Sequence, residues 1–168
     1  MNALVIYESV YGNTQAVAEA IADGLGGEAL TTDEAPADAF AAELLVVGGP
    51  THMHGMANVR SLRANAAEAT TSGPTLRDWI ATLPRTSHAA AAAFDTRLGK
   101  APWLTGAASR GSSKRLRGQG YTVVDAASFV VTDGEGPLAD GELDRARQWG
   151  AELAASVPAA SVGAPAHR

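Results

Sequence analysis

Residues 3–14, Ala-Leu-Val-Ile-Tyr-Glu-Ser-Val-Tyr-Gly-Asn-Thr, join a short apolar run to a loop of small residues, and a helix-like sequence follows at once. The run at 3–7 is apolar throughout, which predicts a strand covered on both faces of a sheet. Val17, Ile21 and Leu25 recur at four-residue spacing, which predicts a helix that begins near Thr14 as its cap and ends at Gly26. The chain therefore opens with a strand, a loop and a helix.

The loop at residues 9–14 has the chemistry of an anion site. A helix N-terminus carries unpaired backbone N–H groups and a partial positive charge, so that a phosphate can bind there. Ser9, Asn13 and Thr14 add short side-chain donors, and Gly12 allows the backbone to turn and approach a ligand closely. The first Lys or Arg of the chain is Arg60, so this loop is not a Walker-type loop, which needs a Lys. A phosphate held here depends on dipoles.

Length and composition predict one globular domain. The chain has 168 residues, 46% of them hydrophobic and 18% charged, which suits a single core. Because it has no cysteine, disulfides and thiolate-ligated metal sites are excluded. The first residues form a strand pattern rather than a leader or a membrane span, so we expect a cytoplasmic protein that does not bind membranes. We predict one domain over residues 1–157 and a flexible tail over residues 158–168.

The charges are segregated along the chain. Residues 1–59 contain eight acids and no Lys or Arg, whereas residues 60–124 contain ten bases and three acids. Within the second block, residues 96–124 hold six bases and no acid. Such blocks are most often solvated surfaces, but a basic block that borders a site changes the field on a bound anion or redox group. Both interpretations remain open for residues 96–124.

Strand and helix patterns alternate after the first unit. The further predicted strands are 28–32, 44–47, 88–94 and 121–131, the last broken near Asp125. The further predicted helices are 59–69, 76–83, 109–117 and 139–157, with Trp79 and Trp149 in the core. This order predicts an α/β fold with a doubly wound, five-stranded parallel sheet and helices on both faces. Loops 8–13, 48–58 and 95–107 would then meet at the carboxyl ends of the strands, where such sheets bind ligands.

Three motifs resemble those of the flavodoxin-like family. Ser9-Val10-Tyr11-Gly12-Asn13-Thr14 resembles the family's phosphate-loop signature, Ser/Thr-x-Thr/Tyr-Gly-x-Thr. Val-Gly-Gly-Pro-Thr at 47–51 resembles the start of the first flavin loop, and Ala-Phe-Asp-Thr at 93–96 resembles the start of the second. The resemblance covers residues 1–157. It implies a flavodoxin-like three-layer sandwich of strand order 2-1-3-4-5, noncovalently bound FMN and electron transfer.

The resemblance also implies which residues contact the cofactor. The phosphate would be bound by Ser9, Val10, Tyr11, Gly12, Asn13 and Thr14. One side of the flavin ring would face Pro50, Thr51, His52, Met53, His54 and Gly55. The other side would face Asp95, Thr96, Arg97, Trp103 and Gly106. No catalytic residue and no metal ligand is predicted, although His52 and His54 have the spacing of a chelating pair.

Two departures from the family pattern bear on function. Loop 48–58 has no Phe, Tyr or Trp, so the ring would meet His and Met side chains and FMN would be held more weakly. Low-potential flavodoxins surround the flavin with acids, whereas the stretch 96–124 is basic, with Arg97 and Lys100 nearest the second flavin loop. We therefore expect reduced flavin to form more easily here than in acidic flavodoxins.

Three functions remain open from the sequence. The first is a redox carrier that exchanges electrons with a partner protein or a small-molecule acceptor, as a monomer or weak dimer without nucleic acid. The second is an NAD(P)H-dependent quinone or small-acceptor reductase on the same fold. The third is a flavin-free interaction module, because a fold alone does not fix a function. A further ambiguity concerns 109–113, Ser-Arg-Gly-Ser-Ser, which reads as a solvated helix start or as a second anion cradle.

Overall fold

The sheet of this protein is built from five parallel strands. The computed structural model describes residues 1–52, 55–56, 73–86, 89–100 and 106–157. The strands are β1 (Ala3–Tyr7), β2 (Glu28–Thr31), β3 (Leu44–His52), β4 (Gly55–Met56), β5 (Ala90–Leu98) and β6 (Thr122–Val131). The parallel strands lie in the order β2-β1-β3-β5-β6, and the two-residue β4 pairs antiparallel with the end of β3. This is the predicted 2-1-3-4-5 order.

Helices cover both faces of the sheet. The α-helices within the described residues are α1 (Asn13–Leu25), α2 (Leu76–Thr82), α3 (Ala108–Gly118) and α4 (Glu142–Ser156), and a short 3-10 helix spans Ala39–Ala41. One core joins α1 and α4 to the sheet through residues such as Val17, Phe94 and Trp149. The other joins α2 and α3 through residues such as Ile80 and Leu116. The three-layer prediction is confirmed.

Strand alternation sets the two cores apart. Val5 and Tyr7 of β1 belong to the α1–α4 core, whereas Ile6 between them belongs to the α2–α3 core. Every other side chain of a strand lies on the same face, so a continuous apolar run fills both cores at once. Trp79 and Trp149 are both buried, as their helical spacing predicts.

Two strands extend further than the sequence predicts. The prediction that β3 ends before Gly48 and that 51–58 is wholly a loop is wrong, since β3 continues to His52 and Thr51 pairs with Met56. Gly48 fits a central strand because Phe94 on the neighbouring strand covers it; a Cβ at Gly48 would lie 2.1 Å from the ring. The prediction that 95–107 is a loop is wrong over its first four residues, which belong to β5.

The remaining bounds agree closely with the predictions. Strand β6 carries an irregularity at the predicted break, because Ala91 pairs with Val123 but Ala92 pairs with Asp125. Several predicted features lie outside the described residues: the helix 59–69, the start of the strand at His88 and the tail 158–168. Within the described part of the chain, no helix combines the length and apolar composition needed to cross a membrane.

Candidate functional site

The loop after β1 is closed by the Ser9 side chain. Ser9 is fully buried, and its Oγ accepts hydrogen bonds from the backbone N–H groups of Gly12 (3.2 Å) and Gln15 (3.3 Å). Helix α1 has Gly12 as its N-cap, with φ +85°, a conformation that L side chains rarely adopt. The prediction that Thr14 caps the helix is therefore wrong. Ser9, which lies in the loop before α1, caps one N–H group of the first turn, that of Gln15.

Thr14 instead connects the loop to a distant strand. Its buried Oγ1 lies 2.8 Å from Oγ1 of Thr96 on β5, 82 residues away. The bond positions the first turn of α1 over the carboxyl end of the sheet. The backbone N–H groups of Asn13 and Thr14 belong to that first turn, where an α-helix provides no internal acceptor. These amides are available to an anion.

A cavity of about 280 Å³ lies where the carboxyl ends of four strands meet. It is lined after β1 by Val10, Tyr11, Asn13 and Thr14, on β3 by Pro50 and Thr51, on β5 by Thr96, Arg97 and Leu98, and from the end of β6 onward by Val131, Gly134 and Glu135. We call it the phosphate-loop cavity. Eight of the residues predicted to bind the cofactor line it: Val10, Tyr11, Asn13, Thr14, Pro50, Thr51, Thr96 and Arg97. The structure thus brings residues from all three predicted loops together.

Two predicted site residues, Asp95 and Thr51, accept hydrogen bonds from the start of α3. Asp95 is fully buried, and its Oδ2 accepts a hydrogen bond from the backbone N–H of Ser109 at 2.8 Å. Thr51 Oγ1 accepts one from the N–H of Ala108 at 3.0 Å. Both bonds cap the first turn of α3, because its N-cap Ala107 has no side chain that can do so. Asp95 therefore fixes α3 rather than lining the cavity.

The remaining predicted residues divide between backbone positions and undescribed ones. Ser9 and Gly12 shape the phosphate loop without lining the cavity. The backbone of His52 pairs with Gly55, and Gly106 precedes α3 with φ +73°. Met53, His54 and Trp103 lie outside the described residues. Among the residues that are described, no group of three or more His, Asp or Glu side chains could hold a metal ion.

The start of α3 is buried on its serine face, whereas Arg110 is exposed, so the solvated-start interpretation of 109–113 holds for one face of the helix only. Ser109, Ser112 and Ser113 all lie in the interior, with Leu116 on the same face of the helix. The hydroxyls of Ser112 and Ser113 are buried without a hydrogen-bond partner. Small serines allow α3 to approach the sheet closely, and the exposed charges on this helix, such as Arg110 and Lys114, lie on its other face.

Sequence reasoning missed a segment that completes the cavity. Residues 132–138 follow β6, and Gly134 and Glu135 line the cavity wall. The Asn13 Nδ2 group donates a hydrogen bond to the Glu135 carbonyl at 2.8 Å. A Cβ at Gly136, where φ is +110°, would lie 2.6 Å from Asn13 Oδ1. The Gly-Glu-Gly-Pro sequence at 134–137 directly after a strand was the signal for such a loop.

The electrostatics of the cavity are more balanced than the charge blocks suggest. Of the six bases in 96–124, all of them described, only Arg97 lines the cavity. Its Nη1 donates to the Lys100 carbonyl at 2.7 Å, while its Nε is buried without a partner. An acidic residue, Glu135, also lines this cavity. Four of the other bases lie on α3, so they act from outside the cavity wall.

A buried carboxylate lies beside this edge of the sheet. Glu8 follows β1 directly, is only 3% exposed, and accepts a hydrogen bond from the Leu76 N–H through Oε2 at 2.9 Å. Its Oε1 is buried without a partner. Burial raises the pKa of Glu8 above its ordinary value and Asp78 raises it further, although the Leu76 N–H opposes them. Glu8 links β1 to the start of α2.

Comparisons with known proteins agree with this geometry. Residues 4–71 match the sequence model of the Flavodoxin domain family, a segment that contains the phosphate loop and β3. Comparison with curated protein sequences gives no significant match. Among solved structures, a flavodoxin from the domain Archaea has 23% identity and a TM-score of 0.63, with 94% of this chain and 99% of that chain covered.

Two bacterial structures are similar over the same length. Oxidised Flavodoxin 1 from Bacillus cereus has 18% identity and a TM-score of 0.68, and it covers 94% of this chain and 100% of its own. A Streptococcus pneumoniae TIGR4 flavodoxin has 16% identity and a TM-score of 0.67, with the same coverage. At these identities the structures establish the fold. The predicted resemblance is therefore confirmed: the chain has the fold of these flavodoxins, and residues 4–71 match the sequence model of the Flavodoxin domain.

Proposed function

We propose that this protein binds FMN noncovalently, with the phosphate at residues 9–14, and acts as an electron-transfer protein. The observation that carries the proposal is the meeting of the phosphate loop with the ends of β3 and β5 in one cavity. The sequence match to the Flavodoxin domain over residues 4–71 and the strand order support it. A bound FMN would supply the electron-accepting group, while the protein holds it and sets its surroundings.

The donors of the phosphate loop fit a flavin phosphate. A phosphate needs several N–H or O–H donors, and the first turn of α1 offers the amides of Asn13 and Thr14 beside the Tyr11 backbone. The space next to Gly12 is open, since a Cβ placed there would meet nothing within 4 Å. No Lys or Arg occurs before residue 60, so the helix dipole and the neutral donors would hold the phosphate.

Each wall of the cavity has a separate part in this proposal. Ser9 holds the loop in its binding conformation through its bonds to Gly12 and Gln15. The hydroxyl pair of Thr14 and Thr96 keeps the loop aligned with β5. Pro50 and Thr51 form one wall of the cavity and Arg97 another, so these residues at the ends of β3 and β5 would face a bound flavin. His52, Met53, His54 and Trp103 remain proposed ring contacts.

The direct test is the visible spectrum of the purified protein. We expect a yellow protein, or a colourless one that binds one equivalent of added FMN and shifts its absorption bands. A Ser9→Ala variant removes the acceptor that closes the loop, so its FMN affinity should fall about tenfold. Ser156→Ala, at the exposed end of α4, is the matched control and should bind FMN as the unmodified protein does. A protein that takes up no FMN would leave the flavin-free module as the function.

A second measurement separates the carrier from the reductase. NADPH is added to the FMN-loaded protein without oxygen, and the flavin absorption is followed. A carrier without a nicotinamide site keeps its flavin oxidised on this time scale, whereas dithionite bleaches it. Rapid bleaching by NADPH would instead support the reductase. The first experiment measures whether FMN binds, and the second measures whether NADPH reduces the bound FMN, so the two results are independent.

A further inference from the structure

A second polar cavity lies away from the phosphate loop, in the groove between α2 and the C-terminal half of α3. Its volume is about 430 Å³, and its polar lining consists of Arg77, Asp78, Arg85, Arg115 and Gln119. We call it the arginine groove. Of the lining residues that the structure describes, none belongs to both this groove and the phosphate-loop cavity. Helix α3 runs from the carboxyl ends of the strands to their amino ends, so Arg115 and Gln119 lie toward the opposite edge of the sheet.

The groove carries an excess of positive charge. Three guanidinium groups face one carboxylate, that of Asp78, which leaves a formal charge of about +2. The Asp78 carboxylate accepts a hydrogen bond from the Thr75 hydroxyl at 2.8 Å, and the Asp78 backbone N–H donates one to Thr75 Oγ1 at 3.1 Å. Within the described residues, no ion pair includes any of the three arginines. Among the described residues that line the groove, Asp78 is the only acid, so they leave the excess charge uncompensated.

Two arginines are held close together and partly desolvated. The Nε of Arg77 is buried without a hydrogen-bond partner, although Arg77 as a whole is only half-buried. Burial lowers the pKa of the Arg115 guanidinium, and Arg77 beside it lowers it further, while Asp78 opposes both. Like charges that are kept together, with an unmet N–H donor, destabilise the folded protein unless an anion joins them. Each guanidinium also offers a planar fork that suits phosphate oxygens.

We propose that the arginine groove is a second anion site that binds a dianionic phosphate group, as inorganic phosphate or as the phosphate end of a small phosphate monoester. A phosphate monoester carries about −1.5 to −2 charge at neutral pH, which matches the formal charge of the groove. The anion bridges Arg77 of α2 and Arg115 of α3, with Arg85 at the rim. This site is independent of the FMN proposal, because it lies on other residues.

A bound dianion also joins the two helices. Within the described residues, side-chain hydrogen bonds from the end of α3 to α2 come from Gln119. Its Nε2 lies 3.5 Å from the Ile80 carbonyl and 3.4 Å from the Ala81 carbonyl. Both distances are at the long limit for hydrogen bonds. A phosphate that contacts Arg77 and Arg115 together adds a stronger connection, so phosphate should raise the melting temperature of the protein.

The test is a titration of the full chain, followed by backbone amide signals in heteronuclear NMR. Added phosphate should shift the signals of residues 77–85 and 115–119 in a saturable way, whether or not the phosphate loop also responds. Phenyl phosphate should bind as well or better, and acetate should not saturate the same signals. Tighter binding of phenyl phosphate indicates a small monoester, whereas equal binding indicates inorganic phosphate.

Charge-removing variants define the site. Arg77→Gln and Arg115→Gln should each weaken phosphate binding about tenfold and abolish the rise in melting temperature. Arg117→Gln is the matched control, because Arg117 is an exposed arginine on the same helix outside the groove. Arg85→Gln serves as a third variant if either of the first two fails to fold, and a several-fold weakening is expected. Equal weakening by Arg117→Gln, binding of acetate as tight as that of phosphate, or no saturable shift in 77–85 and 115–119 would overturn the proposal.

Discussion

The phosphate loop and the arginine groove are two anion sites, both proposed, that rely on different physics. In the first, the donors are backbone amides and hydroxyls after β1, and the first Lys or Arg of the chain is Arg60. In the second, three guanidinium groups supply full charges on two helices. Dipole-based sites depend on exact backbone geometry, whereas charge-based sites depend on net charge and salt. Backbone changes should therefore affect the phosphate loop more strongly, and ionic strength should affect the arginine groove more strongly.

The largest expected effect is that of Gly12→Ala on FMN affinity. Gly12 has φ +85° at the N-cap, so an added side chain shifts the backbone and misaligns the amides that would bind the phosphate. Each charge-assisted hydrogen bond is worth about 1.5–3 kcal/mol, so affinity should fall about 10- to 100-fold in a calorimetric titration.

Gly26→Ala is its matched control. Gly26 caps the other end of α1 with φ +69° and open space around it, so both variants should cost about 1 kcal/mol of folding stability. Only Gly12→Ala should change FMN affinity. Equal FMN affinity in the two variants would mean that the loop geometry does not hold the phosphate.

The next largest expected effect is a difference between the two sites in how strongly ionic strength weakens ligand binding. Raising NaCl from about 0.05 M to about 0.5 M shortens the screening length several-fold, which weakens binding between full charges. We expect phosphate binding at the arginine groove to weaken about tenfold and FMN binding to weaken less than threefold. Parallel titrations at the two salt concentrations measure this. The same salt dependence for both ligands would contradict the assignment of full charges to one site and backbone dipoles to the other.

The hydrogen bond between Thr14 and Thr96 should couple the phosphate loop energetically to the sheet. Their hydroxyl oxygens lie 2.8 Å apart in a buried position, so the two side chains should be coupled by about 1 kcal/mol in a double-mutant cycle of unfolding free energies. The variants are Thr14→Ala, Thr96→Ala and their combination, followed by urea denaturation. Additive effects would mean that the loop is positioned by its own contacts alone.

The smallest effect concerns Glu8, which is buried directly after β1. Because the pKa of Glu8 is raised in the folded protein, its protonated form is favoured there, so its contribution to stability is present below the unfolded pKa and lost as pH rises through the folded pKa. The stability of Glu8→Gln relative to the unmodified protein should therefore increase as the pH rises from about 4 to about 8. Exposed Glu28→Gln is the control, and its relative stability should stay nearly constant. If the stability difference between Glu8→Gln and the unmodified protein did not change with pH, ionisation of Glu8 would not destabilise the folded protein.

Patterns that are local in sequence allowed much of the fold to be predicted. The bounds of β1 match the prediction, and Trp79 and Trp149 are buried as their helical spacing indicates. The end of β3 could not be predicted in this way, because Gly48 belongs to a strand only through the ring of Phe94 on the neighbouring strand. Side-chain period and helix spacing carry no information on such a distant neighbour.

The site was predictable only where its chemistry is local. The phosphate loop was visible as a strand, small residues and a helix, and eight predicted residues meet in one cavity. Asp95 could be assigned to the cap of α3 only once Ser109 was placed against it. The arginine groove depends on α2 and α3 lying side by side, which no motif in either helix indicates.

The central claim is that the phosphate of FMN is held by a loop without cations. Calorimetric titration of the apoprotein with FMN and with riboflavin, which lacks the phosphate, tests this claim most directly. We expect one equivalent of FMN to bind and riboflavin to bind about 100-fold more weakly, since riboflavin lacks the charge-assisted hydrogen bonds to the first turn of α1. Equal affinity for the two flavins, or no binding of FMN, would contradict it.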